Sequence, residues 1–91
     1  MTIIWSDRSI DRLTAIHDFI AQDSPDHASK VIQKILDRAE QLRAFPESGR
    51  MVPEYERIEV REVIEHPYRV LYRVTGDRIE IVNVLHLRQQ L

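Results

Sequence analysis

At 91 residues and 10.8 kDa, with 43% hydrophobic and 31% charged residues, the chain has the composition of one ordinary globular domain, residues 1–91, with no room for a separate cofactor domain. The absence of cysteine excludes disulfide scaffolds, thiolate metal sites and cysteine nucleophiles, and two glycines (Gly49 and Gly76) cannot build a glycine-rich phosphate loop. Thirteen basic against fifteen acidic residues give a net charge of −2, which argues against sequence-blind coating of nucleic acid and leaves room for a local basic site.

Thr2 to Trp5 is short, apolar and β-branched and reads as a strand. Ser6 or Asp7 can cap the helix that follows, whose apolar stripe runs Ile10, Leu13, Ile16 (with His17) and Ile20. Asp23-Ser24-Pro25 ends it and opens another. Ser24 is suited to the N-cap, Pro25 to the first turn, and Asp26 to the positive end of the helix dipole. Ala28, Val31, Ile32, Ile35, Ala39 and Leu42 make a second stripe, which ends near Phe45 because Pro46 disfavours helix at the residue before it. So short a connection predicts an antiparallel helical hairpin.

Pro46-Glu47-Ser48-Gly49 is a loop signal, after which the period falls from 3.6 to about 2. Arg57 to Ile64 predicts a strand in which Ile58 and Val60 alternate with charge. His66-Pro67 interrupts, and Tyr68 to Val74 is the next strand. Thr75-Gly76-Asp77-Arg78 is a tight turn with Gly76 free to take positive φ, and Ile79 to Leu87 is the last strand, apolar on both faces at its middle and therefore central. The expected fold is α+β in two layers, β-α-α-β-β-β, with the N-terminal helical hairpin packed on one face of a small, mostly antiparallel sheet. The longest apolar run is three residues, as at Ile3-Ile4-Trp5, so neither a membrane span nor a signal-peptide core is present and a cytoplasmic location is expected.

One helical layer leaves the second sheet face without a cover, and such a face is either polar or used for binding. Eleven of the thirteen basic residues are arginine, seven of them at or after Arg50. Arginine offers a planar five-donor fork for phosphate or carboxylate, although acidic residues between these positions also allow plain solvated charge. Alternation puts Arg61 opposite in parity to Val60, and Arg69 and Arg73 opposite to Tyr68, Val70 and Tyr72. On this reading Arg61, Arg69 and Arg73 lie on neighbouring strands facing the open side. In the last strand Glu80, Val82, Val84, His86 and Arg88 share one parity.

The segments Phe45-Pro46-Glu47-Ser48-Gly49-Arg50, Val60-Arg61-Glu62, Tyr68-Arg69-Val70-Leu71-Tyr72-Arg73-Val74 and Val84-Leu85-His86-Leu87-Arg88, in this order after a helical hairpin, resemble the RelE/ParE superfamily of bacterial toxins. The resemblance covers nearly the whole chain. It implies the toxin half of a type II toxin–antitoxin module, silenced when the disordered C-terminal segment of a cognate antitoxin folds over it in a hetero-oligomer. Two mechanisms are implied on one fold. ParE-like members poison DNA gyrase and are not enzymes. RelE-like members are metal-independent endoribonucleases that cut mRNA on the ribosome. A non-toxic binding or co-regulator member is a further reading. No cofactor, metal or membrane is implied.

RNA cleavage without metal needs a base, a cation for the phosphate and an acid for the leaving oxygen. Arg61 and Arg69 are the phosphate candidates and His86 the acid–base candidate, with an ordinary pKa near 6.5. The plain alternative for His86 is a strand-end histidine making one hydrogen bond. The resemblance departs from the ribonuclease members in two respects: the pI is 6.1, and no tyrosine follows His86. Both favour the ParE-like branch. Arg50, Arg61, Arg69, Arg73 and Arg88 are then the candidates for pairing with carboxylates of the antitoxin or with the target. His17 reads as packing, His27 as exposed and His66 as a loop residue before Pro67, and no two histidines have metal-ligand spacing. Tyr68 and Tyr72 share a strand face and can stack bases or pack in the core.

Overall fold

In the computed structural model residues 1–55 and 59–89 are described. Arg57 and Ile58, at the start of the expected third segment, lie outside them. The chain order is β1 (Thr2–Trp5), α1 (Asp7–Ala21), α2 (Pro25–Glu40), a 3₁₀ turn (Gln41–Arg43), β2 (Arg50–Met51), β3 (Val60–Glu65), β4 (Tyr68–Thr75) and β5 (Arg78–His86). The strands form one sheet in the order β1-β5-β4-β3-β2, with β1 parallel to β5 and every other pair antiparallel. This is the expected α+β arrangement, enlarged by the two-residue β2.

The helix boundaries follow from their caps. Ser6 Oγ accepts from Ser9 N at 3.1 Å, and Ser6 N donates to Ile81 O at 3.0 Å, which ties the start of α1 to β5. Ser24 Oγ accepts from His27 N at 3.2 Å, with Pro25 in the first turn of α2. The second helix ends earlier than its apolar stripe. It tightens into the 3₁₀ turn at Gln41, which still buries Leu42 and turns the chain ahead of Pro46.

The main core lies between helices and sheet. Ile35, Ala39 and Leu42 pack on Val63, Val70, Tyr72, Ile79 and Ile81, with Trp5, Leu13 and Val31 at the margin. At about 25 cal/mol per Å² of apolar surface, each buried valine, leucine or isoleucine here contributes roughly 1.5–3 kcal/mol. The second sheet face is not left open as expected. Val52, Val60, Leu71 and Leu85 form their own apolar cluster with Tyr55 and Val82, because residues 52–55 fold back over the sheet. Val52 is fully buried and its amide reaches Val60 O.

A β-bulge decides which side chains share a face. Leu71 pairs with Asn83 and Tyr72 with Ile81, so Val82 is the extra residue of β5. The single parity expected from Glu80 to Arg88 is therefore broken. Glu80 and Val82 face the side of Leu71, whereas Val84 and His86 face the helices. At the β4–β5 turn Gly76 has φ of 60°, as its sequence context predicts.

Candidate functional site

The face away from the helices carries a chain of charges at the end of the sheet. Glu62, in β3 and paired with Leu71 of β4, is buried with no exposed side-chain surface. Its Oε1 accepts from Arg69 Nε and its Oε2 from Arg50 Nε, each at 2.6 Å. The outer end of the Arg69 guanidinium grips Glu54 with two parallel hydrogen bonds, at 2.7 and 2.8 Å, and Nη1 also donates to Gln89 O at 3.2 Å. Arg69 is only 7% exposed. The hydrogen bonds to Glu54 foremost, then those to Glu62, raise its pKa against the opposing effect of burial. Among the described residues two guanidinium groups face two carboxylates, and this pairing is what allows Glu62 and Arg69 to be buried. Beside the network opens a cleft of about 330 Å³ bordered by Arg50, Pro53, Glu54, Arg69, Leu87 and Gln89.

The other expected arginines are placed differently. Arg61 pairs in register with Tyr72 and so faces the helix side, not the open side. The expected trio of Arg61, Arg69 and Arg73 on one face is thereby corrected. The cause is register: opposed residues of an antiparallel pair share a face, and Arg61 stands opposite a core tyrosine. Arg61 donates to Gly49 O at 2.8 Å. Tyr72 Oη accepts from Gly49 N at 2.9 Å and donates to Pro46 O at 2.8 Å, so both side chains hold the Pro46–Gly49 loop. Of the two open readings for Tyr72, core packing is the one observed. Arg73 lies on the open face, further along β4, and pairs with Glu80 at 2.9 and 3.1 Å. Arg88 is exposed just past β5.

His86 stands on the helix side opposite Tyr68, edge-on to its ring at a centroid distance of 5.7 Å. Arg88 N donates to His86 Nδ1 at 3.1 Å, which leaves Nε2 to carry the proton of the neutral ring. With Arg12, Phe19, Tyr68 and Val84 it borders a cleft of about 310 Å³ between α1 and the sheet. His86 and Arg69 thus occupy opposite faces. His86 and Arg61 share a face but sit two strands apart and four residues along, about 17 Å between Cα atoms by strand geometry. The three residues proposed for RNA cleavage do not converge.

Sequence reasoning missed Glu54 and Glu62. Glu62 stood inside a segment read for its family resemblance, but a glutamate in an alternating strand reads as solvated charge. Nothing local marks it as the carboxylate that two arginines share.

The sequence model of the ParE toxin of type II toxin–antitoxin systems, parDE, matches residues 3–91. The chain belongs to this family. Among its relatives it is 36% identical over 91 residues to Y4kP of Sinorhizobium fredii, a candidate toxin, covering 97% of this chain and 90% of that one. It is 33% identical over 85 residues to toxin RelE2 of Caulobacter vibrioides, covering 92% of each. Among solved structures, the chromosomal ParDE toxin–antitoxin system from P. aeruginosa superposes with a TM-score of 0.79 at 27% identity, over 94% of this chain and 95% of that one. Within the RelE/ParE superfamily, then, the chain is a type II toxin. Among the described residues no helix is long and apolar enough to cross a membrane.

Proposed function

We propose that this ParE-family toxin acts by poisoning DNA gyrase and is neutralised by a cognate antitoxin polypeptide in a hetero-oligomer. The observation that carries the gyrase reading is that neither phosphate candidate meets His86: Arg69 lies on the opposite face of the sheet, and Arg61, on the same face, lies about 17 Å away by strand geometry. Phosphate stabilisation and proton transfer must meet at one phosphodiester, and a five-stranded sheet stands between Arg69 and His86. Loose apo geometry can tighten on binding, but it cannot carry a side chain through a sheet. The antitoxin reading is supported by the ParDE system from P. aeruginosa, a toxin–antitoxin assembly whose fold this chain shares.

A ribonuclease reading is favoured by one observation, the 33% identity to a relative named RelE2. Plasmid supercoiling by purified bacterial gyrase, with and without the antitoxin-free protein, separates the two. Loss of supercoiling with trapped, cleaved DNA is expected. No effect from folded protein turns the reading to ribosome-dependent mRNA cleavage, and normal growth on expression of soluble chain turns it to a non-toxic co-regulator.

A further inference from the structure

Arg69 holds two carboxylates of unlike anchorage. Glu62 lies within β3, paired on both sides by β2 and β4, and has no exposed side-chain surface. Glu54 lies in the turn after Val52, with its backbone at the surface and its side chain turned inward, 24% exposed. The inner carboxylate is part of the sheet. The outer one is carried by a loop and lies against the cleft of about 330 Å³.

We propose that the outer end of Arg69 is a carboxylate-recognition site for an acidic peptide partner, and that Glu54 occupies it until a partner carboxylate takes its place. The proposal rests on the reading that the chain has an antitoxin partner and names the chemistry by which that partner is held. Three features carry it. The exchange replaces like with like, so the buried guanidinium is never left unpaired. The two parallel hydrogen bonds that Glu54 makes are the geometry any incoming carboxylate would adopt. The charge left when Glu54 withdraws also fits: among the described residues Arg50 and Arg69 against Glu62 give two positive less one negative, a single positive charge suited to a carboxylate rather than to a polyanionic backbone. Arg50, 64% exposed, and Leu87, 37% exposed, flank the cleft and offer a second cation and an apolar contact to the residues beside that carboxylate.

Glu54 is tethered, so it competes at an effective concentration of roughly millimolar or above. Removing its charge should expose the site. The test uses the full chain without antitoxin and glutarate as probe, with inorganic phosphate as the comparison at constant ionic strength. Binding is followed by NMR shifts of the Arg50 Nε–H and the Leu87 and Gln89 amides. Glutarate is expected to bind the Glu54→Gln chain about tenfold more tightly than the native chain, because the tethered competitor is gone. Arg69→Lys should abolish the shifts. If Glu54→Gln does not melt cooperatively, Glu54→Asp, whose shorter stem cannot keep the two-bond grip, replaces it with the same expected direction. Equal affinity in native and variant chains, shifts that survive Arg69→Lys, or tighter binding of phosphate than of glutarate would each overturn the proposal. With no antitoxin in the sample, failure here leaves the antitoxin reading standing. Failure of a co-expressed antitoxin to bind sinks that reading alone.

Discussion

Glu62 shows how much can depend on one buried carboxylate. Its two oxygens satisfy Arg50 and Arg69, and the second of these is itself nearly enclosed. Glu62→Gln keeps the shape and removes the charge that both guanidinium groups face. Breaking a buried pair from one side costs about 3 kcal/mol or more, so a clear fall in the urea midpoint is expected with little change in far-UV circular dichroism. Tyr72 offers a second residue-scale prediction. Burial foremost, opposed by the Gly49 hydrogen bond, raises its pKa above 10.0, and burial also raises that of Tyr68. A raised folded pKa means that the unfolded chain ionises first. The stabilisation is fully present below pH 10 and is lost as pH rises through the folded value. Tyr72→Phe should cost roughly 1–3 kcal/mol at neutral pH, because Gly49 N loses its buried partner. It should also flatten the decline above pH 10, read from urea midpoints across that range.

At the scale of elements, the Pro46–Gly49 loop is fixed by β3 and β4 rather than by its own turn. A Cβ on Gly49 would meet Tyr72 Oη at 2.6 Å and Glu62 O at 2.7 Å. The side chain can shift, but the β3 carbonyl belongs to the ladder and cannot. Gly49→Ala is therefore expected to cost about 1–3 kcal/mol through overpacking. The loss should be local: amide exchange should quicken in residues 46–51 and stay unchanged in β5, an interior strand far from the loop. The bulge at Val82 works at the same scale. It lets β5 place Ile79 and Ile81 against the helices and Val82 and Leu85 against the other face.

Across the whole molecule the sheet acts as a partition. The charge network with its strap of residues 52–55 lies on one side, and the helical hairpin with His86 lies on the other. If the chain poisons gyrase, His86→Ala should keep growth arrest on induction in bacteria, because no proton transfer is asked of it. An endoribonuclease that used His86 as acid or base would lose roughly a hundredfold or more in rate. Colony counts after induction, with immunoblots to match expression, separate these outcomes.

Local signals were sufficient for the order of the elements. Ser24-Pro25 placed the start of α2, the stripe from Ala28 to Leu42 placed its buried face, and Gly76 placed the last turn, because caps, periods and breakers act over a few residues. Sequence also named Arg50 and Arg69. The face of Arg61 and of His86 was decided only by tertiary structure: alternation carries a face along a strand until register or a bulge resets it, and both are set by the neighbouring strand. Glu54 and Glu62 joined the charge network for the same reason. Each meets Arg69 across a separation of 15 or 7 residues that only the folded sheet closes, and an isolated glutamate carries no sign of the guanidinium it will meet.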